Sequence, residues 1–145
     1  MDFKSAKASF FDAPKIVAAV DKATRNVLSR FGAFVRRTAK GSIRKAKSPS
    51  KPGKPPHSHV GLLKEFIFFS FDVESRSVVI GPTRLNQKSG SAPSVLEYGG
   101  TTSIVTRRNG RTSRRRVTIA ERPYMNPALD KELPKLPAMW RDSVK

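Results

Sequence analysis

The chain contains no cysteine. A disulfide framework and a thiolate metal centre are both excluded, and a reducing compartment is the expected place of folding. Long apolar runs are missing too: the longest, Ile16 to Val20, has five residues. No stretch of that length crosses a bilayer, and the N-terminal MDFKSAKASFF shows no signal-peptide core, so no membrane role is expected. Acids are scarce, 11 against 29 lysines and arginines, and no two of them have a spacing that suggests a two-carboxylate or metal site. Glu97 and Glu121 read as a cap or ion-pair members rather than as catalysts. His57-Ser58-His59 is a lone His-x-His in a proline-rich stretch and reads as solvated, not as a metal site. The glycines make no phosphate-loop pattern, and no Ser/His/Asp set is visible. The expectation is a non-enzyme with no metal and no cofactor. A metal-dependent nuclease is the enzyme alternative, and no residue points to it.

What is present is positive charge, and it is concentrated. The 145 residues carry a net charge of +18. Lys22 to Lys64 contains 12 basic residues and no acid; Tyr98 to Ala120 contains six and no acid. Those two windows account for the whole excess, and the remainder balances at 11 against 11. An ordinary framework carrying two basic segments predicts an anionic partner, with a solvated surface as the bland alternative. The second segment centres on RRNGRTSRRR, where Asn109-Gly110 favours a tight turn between two strands. Arg107, Arg108, Arg111, Arg114, Arg115 and Arg116 are the candidate contacts to DNA or another anionic partner. No aromatic residue lies between Tyr98 and Tyr124, so base stacking is not expected. Nucleic-acid contact, if made, would be to phosphate and indifferent to sequence.

The length suits one domain, 1–145. Asp12-Ala13-Pro14 starts a helix with Asp12 as its cap, and Ile16, Val20, Ala23, Val27, Phe31 and Phe34 form its apolar stripe through 12–40, with Gly41 as the stop. A basic Pro-rich arm follows over 41–60. Its KSPSKPGKPPHSH has no large apolar residue and is expected to be extended, either a linker or a strap across another subunit. Residues 61–122 are expected to hold a small antiparallel sheet, a short helix and the basic hairpin. LLKEFIFFSFD reads as its first strand, with Ile67, Phe69 and Phe71 on one face and Phe66 and Phe68 on the other. A strand apolar on both faces needs two covers, from the same chain or from another. SVVIGP returns beside it, PSVLEYGG is a short helix ended at Gly99-Gly100, and TTSIVT and RRVTIA are the hairpin arms. Asn126-Pro127, with Asn126 as the cap, opens a C-terminal helical segment, 126–145, which Pro134 and Pro137 interrupt. The fold class is α+β: a small antiparallel sheet with a long N-terminal and a short C-terminal helix, plus the extended arm and the Arg-tipped hairpin.

Three stretches together carry a resemblance: SPSKPGKPPHSHVGLLKEFIFF with SVVIGP, then SVLEYGG, then ERPYMNPALDKELPKLPAMWRDSV. From about Lys47 onward the chain resembles the tail-completion, or head-to-tail joining, proteins of long-tailed bacteriophages and related virion-morphogenesis proteins. The matching residues are Pro49, Gly53, Pro55 and Pro56 in the arm, Tyr98 and Gly99 at the helix end, and Arg122, Pro123, Tyr124 and Pro127 to Leu129 in the approach to the last helix. The resemblance implies structural roles for them and none in catalysis. It implies a homo-oligomeric ring, usually a hexamer, at the neck or tail top, joining the tail tube or tail terminator to the head connector. Double-stranded DNA would pass through its axis, and the protein would reside in the virion after assembly in the host bacterial cytoplasm. In such a ring Pro49, Lys51, Pro52, Lys54, Pro55, Pro56, Phe66 and Phe68 are the expected subunit contacts. The arginine hairpin is heavier in charge than the family pattern requires; of its two candidate targets, the channel DNA and an adjoining acidic protein surface, the protein surface is the favoured one, because DNA must slide and strong static pairing would hinder it. The alternative reading of the whole chain is a sequence-nonspecific, basic nucleic-acid-binding protein.

Overall fold

The computed structural model describes residues 13–83, 92–141 and 143. The long helix α1, Ala13–Ser42, organises the rest. At 1.5 Å per residue it is about 45 Å long. Its buried apolar side chains are Ala23, Val27, Phe31, Val35 and Ala39, continuing to Ile43 just past its end. A strict step of four at about 100° per residue advances the stripe by roughly 40° each time. The stripe therefore winds around the helix, which lets α1 pack a β-hairpin on one side and the C-terminal helices on the other. This differs from the expected stripe at its ends: Ile16 and Val20 are exposed and Phe34 is half-buried. Gly41 lies inside the last turn instead of ending the helix. The proposed cap Asp12 lies outside the described residues.

Strand β1, Arg44–Lys45, pairs in parallel with β2, His57–Ser58. That pairing closes the proline-rich segment into a loop, so the expected extended arm is corrected. Helix α2, Leu62–Glu65, is a single turn after Gly61 at φ 92°, and strand β3 begins only at Ile67. LLKE is therefore helical, not part of the strand. Strand β3, Ile67–Asp72, and β4, Ser77–Pro82, form an antiparallel hairpin. Ile67, Phe69, Phe71, Val78 and Ile80 share the face turned to α1. Gly32 makes this approach possible: a Cβ there would stand 2.7 Å from Val78 and 2.9 Å from Phe69. An ion pair of 3.3 Å between Arg76 and Asp21 ties the β3–β4 turn to the helix.

Helix α3, Ala92–Tyr98, leads into β5, Gly100–Arg108, which pairs antiparallel with β6, Arg111–Ile119. The two hairpins do not pair with each other, so the expected single antiparallel sheet is two separate hairpins, with β1–β2 a third, parallel pair. Helix α4, Asn126–Glu132, passes through a 3₁₀ turn, Leu133–Lys135, into helix α5, Leu136–Trp140. Pro134 and Pro137 each occupy the first turn of the piece they begin, where a missing N–H costs nothing. The chain is thus α+β, with a core of Phe31, Val35, Ala39, Ile43, Leu63, Ile67, Tyr124 and Ala128. Among the described residues no helix is long and apolar enough to cross a membrane.

Candidate anion-binding ribbon and its anchor

The β5–β6 hairpin is a bare ribbon mounted on a cross-tied base. Its turn is Asn109-Gly110, with φ 49° and 72°, the two positive values of a type I′ turn that suits the twist of the strands. The strands run nine residues each, longer than the expected arms, so the arginines sit on strands and not in a loop. Register pairs Arg108 with Arg111, Val105 with Arg114, Ile104 with Arg115 and Ser103 with Arg116. Because strand side chains alternate between faces, Arg108, Arg111 and Arg115 share one face and Arg107, Arg114 and Arg116 the other. All six are exposed, and among the described residues none has an acid within ion-pair reach. Only Thr102, Val117 and Ile119, near the base, are partly covered.

At the base, residues far apart in sequence converge. The Glu97 carboxylate is 6% exposed and accepts three backbone hydrogen bonds. The N–H groups of Tyr124 and Met125 donate to Oε2 at 2.9 and 3.0 Å, and that of Asn126 to Oε1 at 2.8 Å. A carboxylate carried by α3 thereby caps α4, satisfying donors that a helix start leaves open and meeting the positive end of its dipole. The cap expected from the Asn126 side chain is absent; α4 has no side-chain cap of its own. Arg122 supplies the second tie. Its backbone N–H donates to the Leu96 carbonyl at 2.6 Å, and its guanidinium donates to the carbonyls of Ser50 at 3.1 Å and Ala120 at 3.0 Å. Gly53 N–H closes the set on the Glu121 carbonyl at 2.9 Å. Gly99, at φ 71°, ends α3 where a Cβ would stand 3.1 Å from the Glu121 nitrogen. Tyr124 is buried in the core; burial, then the nearby Glu97 charge, holds its phenol well above the usual range.

The structural-motif residues Gly99, Arg122, Pro123 and Tyr124 thus sit together at this base, beside Tyr98 and Pro127, which are exposed. The arm residues are brought to it as well. Pro49, Lys51, Pro52 and Lys54 are exposed on the outside of the loop, Pro55 is half-buried, and Pro56 is wholly buried. Pro56 is therefore corrected from a subunit contact to an internal packing residue. Composition favours an open arm because it holds no large apolar residue; beyond the β1–β2 pairing, the Arg122 guanidinium on the Ser50 carbonyl and the Gly53 N–H on the Glu121 carbonyl, about 70 positions away, tie it down instead. Ser50 and Gly53 carry those bonds through main-chain atoms, which no side-chain pattern announces.

A second surface lies on the outer face of β3–β4. Phe66 and Phe68 meet edge to face at 6.3 Å, and both remain exposed, as does Val79. Arg36 reaches round the strand: its Nε donates to the Ile67 carbonyl at 2.7 Å and its guanidinium lies 5.8 Å from the Phe68 ring. The inner face is covered by α1; on the outer one Phe66, Phe68 and Val79 stay exposed, with the Arg36 guanidinium beside Phe68. A shallow cleft of about 340 Å³ beside β1 is lined by Lys40, Arg44, Lys45 and Lys64 with Glu65. Burial, then the Arg36 charge, lowers the Lys40 pKa. His57 Nδ1 lies 2.9 Å from the Ser48 carbonyl inside the closed loop. No group of three or more His, Asp or Glu side chains among the described residues is placed to hold a metal ion. Compared with models of protein families, with curated proteins and with solved structures, the chain finds no match.

Proposed function

We propose that this chain is a structural, non-enzymatic component of a bacteriophage virion. In this reading copies of it close into a ring, usually a hexamer, at the neck or tail top, around the channel through which double-stranded DNA passes. The ring joins the tail tube or tail terminator to the head connector. One observation carries the reading. The three stretches that resemble tail-completion proteins meet in one hydrogen-bonded base, through Ser50 and Gly53, Leu96 and Glu97, and Glu121 to Asn126. Residues so separated are expected to share a signature when they share one structural task. Two uncovered surfaces add support. The Phe66, Phe68 and Val79 face needs a cover, and in a closed ring the next copy supplies it, with Pro49, Lys51, Pro52 and Lys54 available on the loop's outer side. The arginine ribbon needs an anion.

Sedimentation velocity of the purified protein over a concentration series, followed by negative-stain imaging alone and with tail tubes, tests the reading. A closed ring whose mass falls to that of a monomer in Phe68→Asp supports it. A monomer at every concentration that never associates with tails removes it. The second reading, a nucleic-acid-binding protein outside any virion, is favoured by the ribbon alone and predicts duplex binding by a monomer.

A further inference from the structure

We propose that the β5–β6 ribbon is a duplex-DNA arm that lies in the major groove and pairs with phosphates of both walls, three arginines to each. The inference rests on the anionic partner that the preceding reading gives the ribbon; it does not depend on the ring.

The distribution of charge between the two faces decides the partner. An acidic protein surface touches a ribbon from one side, and the best ribbon for it carries its arginines on that side. Here Arg108, Arg111 and Arg115 stand on one face and Arg107, Arg114 and Arg116 on the other. Docking on a flat surface would use one set and leave the other hydrated. A groove walled by phosphate on both sides uses both. Dimensions agree. Paired strands lie about 4.8 Å apart, and the six register pairs from Ser103↔Arg116 to Arg108↔Arg111 span roughly 17 Å along the ribbon. The major groove of B-DNA is about 12 Å wide and 8.5 Å deep and admits a two-stranded ribbon. Between the arginines the ribbon carries Ser103, Thr106, Thr112 and Ser113 and, opposite Arg115 and Arg114, the exposed Ile104 and Val105.

The same features exclude other nucleic acids. A-form RNA has a major groove too deep and narrow for such entry. Single strands are held by aromatic stacking, and no aromatic residue lies between Tyr98 and Tyr124. The contacts are to phosphate, so binding is indifferent to base sequence. Arginine suits the task because its planar fork takes two phosphate oxygens at once.

The test is fluorescence anisotropy of the full chain on a labelled duplex of about 24 base pairs through a salt series. Two triple variants are compared, Arg108→Ala with Arg111→Ala and Arg115→Ala, and Arg107→Ala with Arg114→Ala and Arg116→Ala. Each phosphate contact adds about 0.9 to the slope of log affinity against log salt, so each triple is expected to lower it by about 2.7. The matching Arg→Lys triples keep most of the slope. Wild-type binding by both alanine triples overturns the proposal, as does a loss confined to one triple, which means one-sided docking. Equal affinity for a duplex RNA or for poly-glutamate of matched charge overturns the groove. Thermal unfolding of each variant at the wild-type midpoint shows that the fold is intact. The oligomer's mass reads the ring separately, so failure of one proposal is not mistaken for failure of the other.

Discussion

The base and the tip of the same hairpin obey opposite rules. At the base, Glu97, Arg122, Ser50, Gly53 and Gly99 are packed or cross-tied, and the Glu97 charge is spent entirely within the molecule. Towards the tip, six arginines stand exposed with no acid beside them among the described residues. An isolated two-stranded hairpin is marginal in water, so its stability has to come from its mount or from a partner. The difference teaches a division of labour: residues at the base hold position, and residues on the ribbon carry charge to something outside the chain. Substitutions at the two places should therefore report on different measurements.

The largest effect is expected at the base. Glu97→Ala leaves three backbone N–H groups without their acceptor and is expected to cost about 3 kcal/mol, read as a lower midpoint in chemical denaturation. A stability unchanged by this variant breaks the comparison at once. Gly32→Val comes next. Its side chain would collide with Val78 and Phe69 between α1 and the β3–β4 hairpin, an overpacking cost of about 2 kcal/mol. Gly99→Ala forces a left-handed backbone and a tight approach to Glu121, for about 1 kcal/mol. At the other extreme, replacing all six ribbon arginines by alanine should change stability by no more than about 0.5 kcal/mol. A large loss there would mean that the ribbon is part of the body.

Two titrations sharpen the same contrast. Glu132, buried under Thr38 and Lys135, has its carboxyl pKa lowered, first by the Lys135 hydrogen bond and then by that of Thr38. Its stabilisation is present above the ordinary carboxyl pKa of about 4.3 and is lost as pH falls through the depressed folded value. Glu132→Gln should therefore flatten the acid limb of a stability–pH curve. Tyr124 is raised, so its stabilisation is complete below about pH 10 and is lost as pH climbs through the raised value. Tyr124→Phe should flatten the alkaline limb. Neither change should alter anion binding.

How much of this was legible in the sequence follows from how local each feature is. The long helix, the Asn-Gly turn, the helix end at Gly99 and the two-faced strand from Ile67 to Phe71 depend on near neighbours, and each is readable. The drift of the α1 stripe is visible only once its partners are known. The closed proline loop was not readable, because main-chain atoms of Ser50 and Gly53 reach residues about 70 positions away. The same reason hid the separation of the two hairpins: strand alternation says which face is apolar and not which strand lies alongside. For the candidate site, the arginines were visible as charge, and their even division between faces emerged only with the register. Glu97 reads from sequence as a cap or ion-pair member; the helix start it caps, 27 to 29 residues on, is visible only in the fold.

Amide hydrogen exchange of the full chain, free and with excess 24-base-pair duplex, tests the division of labour most directly. The account predicts that amides of Gly100–Ile119 exchange fast in the free protein and become protected with DNA, while those of Tyr124 to Asn126 are protected throughout and do not change. Duplex binding with no change in the ribbon, or with loss of protection at the Glu97 cap, would contradict it.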